Sequence, residues 1–128
     1  MKTHTYRILA VDDEIDALKV LERALEDDYE VLTATSGSEA LEILGREQVD
    51  LLITDQRMPE MTGIGLIEKA REIQPHMMRI ILTGYTDPRY FSDAINRGQV
   101  YRCTPKPWDF NDLLFTIRNG LETYQLRR

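Results

Sequence analysis

Cysteine is nearly absent: Cys103 is the single one in 128 residues, so no internal disulfide can form, and a reducing compartment is expected. Long apolar runs are missing too. No stretch approaches the length of a membrane span, and the opening Met1-Lys2-Thr3-His4 lacks the apolar core of a signal peptide. Together these absences predict a cytoplasmic chain that does not engage a membrane. Positive charge is not in excess. The net charge of -6 argues against nucleic-acid binding through a broad basic surface, and the closing Leu126-Arg127-Arg128 is too short to change that. There is no Pro/Gly-rich linker, internal repeat or low-complexity segment. With 42% hydrophobic and 30% charged residues, the chain reads as one ordinary domain over 1–128, with short tails at about 1–5 and 126–128.

What is present is a regular alternation of apolar runs and helix-period segments, the pattern of an α/β fold with a parallel sheet. Strands are expected near Tyr6–Val11, Tyr29–Ala34, Val49–Thr54, Arg79–Thr83 and Val100–Thr104. Helices are expected near Asp16–Glu26, Gly37–Glu47, Gly63–Ile73, Pro88–Arg97 and Asn111–Leu126. Ile15, Leu18, Leu21 and Leu25 share one face of the first helix; Ile64, Ile67, Ala70 and Ile73 share one face of the third. Ser36 followed by Glu39 is a capping-box pattern, and Asp87 and Asp109 are candidate N-caps. Leu114, Ile117, Leu121 and Tyr124 predict packing of the last helix on the sheet, with a heptad-like continuation as the sharper alternative. Right-handed crossovers lead to a flavodoxin-like, doubly wound (βα)5 fold with a five-stranded sheet ordered 2-1-3-4-5.

In that order the ends of the first and third strands are neighbours, and both end in acid. Tyr6-Arg7-Ile8-Leu9-Ala10-Val11 runs into Asp12-Asp13, and Val49-Asp50-Leu51-Leu52-Ile53-Thr54 runs into Asp55. Three carboxylates converging from two strand ends suit a hard divalent cation. The fourth strand ends in Thr83-Gly84 and the fifth runs into Lys106-Pro107, which places a hydroxyl and an ammonium beside Asp55.

The acidic pair Asp12-Asp13, the stretch Asp55-Gln56-Arg57-Met58-Pro59-Glu60-Met61-Thr62-Gly63, Thr83-Gly84 and Lys106-Pro107 occur in order, each after an apolar run. This set resembles the receiver domain of two-component response regulators, over essentially the whole chain. The resemblance implies that Asp55 is the nucleophile, accepting a phosphoryl group from a phosphohistidine of a sensor histidine kinase or phosphotransfer protein. It implies Mg2+ held by Asp13, by Asp12 directly or through water, by Asp55 and by the backbone carbonyl of Arg57. Thr83 and Lys106 would contact the phosphoryl group. The resulting switch would act through the face made by the fourth helix, fifth strand and fifth helix, on an output domain, a partner or a second copy. Chemistry beyond self-phosphorylation and self-dephosphorylation is not expected, so the chain is not an enzyme in the ordinary sense.

Departures narrow the resemblance. Cys103 stands where receivers commonly carry an aromatic, with Tyr101 two residues earlier, so an aromatic readout is in question. The segments Leu82 to Asp87, Ile95 to Gly98 and Lys106-Pro107-Trp108 resemble receivers joined to HD-type phosphodiesterases, to sigma-54 activators such as hydrogenase regulators, and to kinases. The rival readings are fewer. A phosphatase with an aspartyl-phosphate intermediate needs an acid where Arg57 stands, and a flavin or nucleotide module needs glycines where Asp12-Asp13-Glu14 stand. A standalone or pseudo-receiver interaction module without phosphotransfer is the remaining alternative.

Overall fold

The computed structural model describes residues 5–83, 102–105 and 109–127. The strands are β1 (Arg7–Val11), β2 (Glu30–Ala34), β3 (Leu51–Asp55), β4 (Met78–Thr83) and β5 (Arg102–Pro105). The helices are α1 (Ile15–Leu25), α2 (Gly37–Leu44), α3 (Gly63–Ile73) and a C-terminal helix, Phe110–Arg127. All four strand pairings are parallel and the sheet order is β2-β1-β3-β4-β5, as the alternation predicted. The helix expected over Pro88–Arg97, its cap Asp87, and Tyr101, Lys106 and Trp108 lie outside the described residues.

Side chains alternate across a strand, and the two cores follow that period. Ile8, Ala10, Leu51, Ile53, Ile80 and Leu82 pack under α1 and the C-terminal helix, against Leu18, Leu21, Leu25, Leu113, Ile117, Leu121 and Tyr124. Leu9, Val11, Leu52 and Ile81 pack on the other face, under α2 and α3. Every residue of β3 and β4 is buried, as expected of central strands covered on both faces. Edge strand β2 is buried only at Ala34.

Several expectations need correcting. Ile15 is 59% exposed and Ile73 is 44% exposed. Each sits at a helix end, where the helix overhangs the sheet; the α3 stripe is instead Gly63, Leu66, Ile67 and Ala70. Helix α2 stops at Leu44 rather than Glu47, and the Gln74 amide donates to the carbonyls of Leu44 (2.9 Å) and Glu47 (2.8 Å), which have no partner within the helix. Ser36 Oγ does accept from Glu39 N at 3.1 Å, but the Glu39 carboxylate turns to Thr35, whose N–H it accepts at 2.7 Å. Only half of the capping box forms. Asp109 caps the C-terminal helix as expected, accepting from Asp112 N at 3.0 Å. That helix continues through Arg127, so residues 126 and 127 are helical rather than tail. Leu113 heads its buried stripe, with Leu114 at the margin.

Candidate functional site

In a parallel sheet all strand C-termini share one edge, and there the expected acids meet. Asp55 is the last residue of β3, one position later than the strand was expected to end, because it pairs with Leu82 and the next amide, Gln56 N, still donates to Leu82 O at 3.2 Å. Asp12 follows β1 in the same way, with its N–H on Ala34 O at 3.2 Å. The register Val11↔Thr54, extended one step, sets Asp12 beside Asp55. The result is a cluster of Asp12, Asp13 and Asp55 whose carboxylate oxygens lie within 4.8 Å of one another.

The three acids differ in enclosure. Asp12 is 2% exposed and Asp55 is 9% exposed, whereas Asp13 faces solvent. Asp12 Oδ1 accepts from Glu14 N at 2.9 Å, which fixes the turn into α1. The helix N-cap itself is Glu14, with no side-chain bond, so the acidic pair does not cap α1. Thr83 closes β4, is 3% exposed, and is paired in register with Pro105, the residue before Lys106. Arg57 is exposed in the loop directly after Asp55. Lys106 lies outside the described residues. Four of the five site positions in β1, β3, β4 and their loops are thus gathered at one edge: Asp12, Asp13, Asp55 and Thr83.

The donor set fits a small hard cation. Mg2+ binds oxygens at roughly 2.0–2.1 Å, so opposed ligands stand about 4.2 Å apart. Carboxylates within 4.8 Å need only a small side-chain rotation, or one intervening water, to share it.

Residue Gln56 was not singled out by the sequence, although it organises this edge. Its Oε1 accepts from Ile64 N at 2.9 Å and its carbonyl accepts from Gly63 N at 3.0 Å. Thr62 Oγ1 takes the next amide, Gly65 N, at 3.0 Å. All three N–H groups at the start of α3 are therefore bonded within the chain, and that terminus offers no amide to an anion. A Cβ at Gly63 would stand 2.5 Å from the Asp55 carbonyl, so only glycine allows α3 to start this close to the site. The sole sequence signal was the glycine itself.

A cleft of about 380 Å³ opens at the opposite edge, lined by Leu44, Val49, Gln74, His76 and Tyr124 among others. None of the clustered acids reaches it. Among the described residues, no helix is long and apolar enough to cross a membrane.

Comparison with known proteins agrees with this geometry. The family model for the response regulator receiver domain matches residues 8–118. The hydrogenase transcriptional regulatory protein HoxA of Cupriavidus necator is 36% identical over 120 residues, covering 94% of this chain and 25% of that protein. The chain thus spans about a quarter of the length of such relatives. Among solved structures, that of an adenylate cyclase from Rhodopirellula baltica superposes with a TM-score of 0.92 at 39% identity, over 96% of this chain and 92% of that one. The signal receiver domain of an HD domain-containing protein from Pseudomonas fluorescens Pf-5 gives a TM-score of 0.89 at 34% identity, over 95% and 98%.

Proposed function

Since the chain belongs to the response regulator receiver domain family of two-component signalling, we propose that it accepts a phosphoryl group on Asp55. One observation carries this: the Asp55 carboxylate stands at the sheet edge within 4.8 Å of two further carboxylates. The donor would be the phosphohistidine of a sensor histidine kinase or phosphotransfer protein. An Asp55 oxygen attacks phosphorus, the P–N bond breaks, and the imidazole leaves with the bonding pair, yielding an acyl phosphate.

Such a transfer asks mainly for positioning and charge neutralisation. Asp12, Asp13, Asp55 and the Arg57 carbonyl would hold Mg2+, which when bound offsets the charge gathering on the phosphoryl oxygens. Thr83 would donate its hydroxyl to one of those oxygens, and Lys106 would pair with another. Burial of Asp12 and Asp55 keeps bulk water from screening these contacts.

The phosphorylated state would be read through the face that includes β5 and the C-terminal helix, with Arg118 exposed on the latter. The relatives that are transcriptional regulatory proteins are about four times longer, which favours an output domain elsewhere in the full protein. On this reading the domain works in the cytoplasm as a signalling module, forms homodimers through that face, and contacts neither nucleic acid nor membrane itself.

The test is incubation with a small phosphodonor and Mg2+, followed by intact-mass measurement. A single, hydroxylamine-labile phosphoryl gain that disappears in excess chelator and in Asp13→Ala is expected. Equal labelling in chelator would remove the metal site, and no labelling at all would favour an interaction module without phosphotransfer.

A further inference from the structure

The loop between β3 and α3 leaves Gln56 and returns to it. The backbone N–H of Gln56 is fixed on Leu82 O, its carbonyl receives Gly63 N at 3.0 Å, and its side-chain Oε1 receives Ile64 N at 2.9 Å. Between these anchors the chain turns sharply. Glu60 adopts φ 69°, and Met61 N reaches back to Pro59 O at 2.7 Å. A non-glycine residue with positive φ persists only where its surroundings over-determine it, so this loop depends on its tethers. The backbone tether survives any side chain at position 56. The bond to Ile64 N needs an acceptor of glutamine length. An apolar side chain there would fill similar space and leave that amide without its partner.

We infer that Gln56 is a positioning residue for the divalent cation, an inference that rests on the phosphoacceptor reading above. Arg57 follows Gln56 directly, ahead of the turn, and its carbonyl is the one neutral ligand proposed for the ion. By holding the returning end of the loop against the end of β3, the Gln56 side chain sets where that carbonyl lies relative to Asp55. It acts through the loop, as outer partners of metal ligands do, and their loss weakens metal binding by about tenfold or more.

The experiment compares the whole chain as wild type, Gln56→Met and Gln56→Glu. Cation affinity is read by competition of Mg2+ against Mn2+ in paramagnetic resonance, and exchange of the Ile64 amide is read by NMR. Gln56→Met should raise the Mg2+ midpoint about tenfold, speed exchange of the Ile64 amide, and depress phosphoryl uptake at low Mg2+ with recovery at saturation. Gln56→Glu retains the acceptor, so it should keep the amide protected and bind Mg2+ at least as tightly as wild type. A Gln56→Met chain with the wild-type Mg2+ midpoint overturns the inference. So does a Gln56→Glu chain with weakened binding, which decides the matter if Gln56→Met does not fold. A wild-type chain that binds no Mg2+ would instead sink the phosphoacceptor reading, and the inference with it.

Discussion

Strand β3 carries an aspartate at each end, and the two live in opposite company. Asp50, just before the strand, is 5% exposed and its carboxylate accepts from Arg7 N at 2.7 Å. Its own N–H donates to Arg7 O at 2.9 Å and its carbonyl accepts from Met78 N at 3.0 Å, so it bolts three strands together at their starts. Around it the Arg7 guanidinium spans Glu30, Glu47 and the Gln48 carbonyl, and buried Arg79 donates to Met77 O at 2.7 Å. Asp55, at the other end, is about as buried but converges with two further carboxylates. Burial therefore does not separate a structural acid from the proposed phosphoacceptor. Their settings differ instead: the Asp50 carboxylate is bonded to the backbone of the neighbouring strand, whereas Asp55 gathers with two further carboxylates in a set suited to a cation.

Substitution at the two ends of β3 should have opposite effects. Asp55→Asn should abolish phosphoryl uptake while keeping stability within about 1 kcal/mol of wild type, since it removes one of three mutually repelling charges. Asp50→Ala should lower unfolding free energy by about 1.5–3 kcal/mol, the cost of stripping a part-buried amide of its charged acceptor, yet still take up phosphate when folded. Urea titration and intact-mass spectra on both variants check this; phosphoryl uptake by Asp55→Asn would erase the distinction.

The glycines at the two edges should differ as well. Gly63, at the acidic edge, has the Asp55 carbonyl 2.5 Å from where a Cβ would sit, while Gly45, at the other edge, meets nothing closer than 3.5 Å. Gly63→Ala should cost on the order of 3 kcal/mol and disturb the site by pushing on the Asp55 backbone. Gly45 sits at φ -75° and ψ -15°, so Gly45→Ala should stabilise by about 0.4–1 kcal/mol. Melting curves of the two variants moving in the same direction would contradict the contrast.

The smallest expected effect concerns pH and lies away from the acidic edge. Burial holds the Tyr29 hydroxyl above its usual value, helped by Asp28 and partly opposed by Arg118. A raised folded-state value favours the protonated form, so this stability is complete below about pH 10 and is lost as pH rises through the higher folded-state value. Tyr29→Phe should flatten that alkaline decline slightly, as followed by denaturant midpoints across the range. An unchanged slope would show that Tyr29 ionises no differently on unfolding.

Much of this was legible in the sequence, for definite reasons. Strand period and strand-end acids are local patterns, so Asp12, Asp13, Asp55 and Thr83 could be placed before any coordinates. Position relative to the sheet is not local: Ile15 and Ile73 obey the helical period perfectly well, yet overhang the sheet and stay exposed. The two glutamines were invisible because an amide in a loop follows no period. Gln74 also accepts Val49 N at 3.0 Å, and it caps carbonyls at the end of α2. Gln56 decides where α3 begins. Asp50 and Asp55 are the same letter: the end of the apolar run marks Asp55, while the role of Asp50 shows only with its partner strands.

The strand order has a consequence in time. β1 is made first, but its inner neighbour is β3, and Ile8 meets Leu51 only after α1, β2 and α2 have been synthesised. Until then a ribosome-bound chain can pair β1 on one side alone, leaving an edge of unpaired backbone N–H and C=O groups, the kind of edge that invites association between nascent chains. The same event that completes the sheet's centre also delivers Asp55 to Asp12. Birth of the acidic cluster and closure of that hazardous flank are one step.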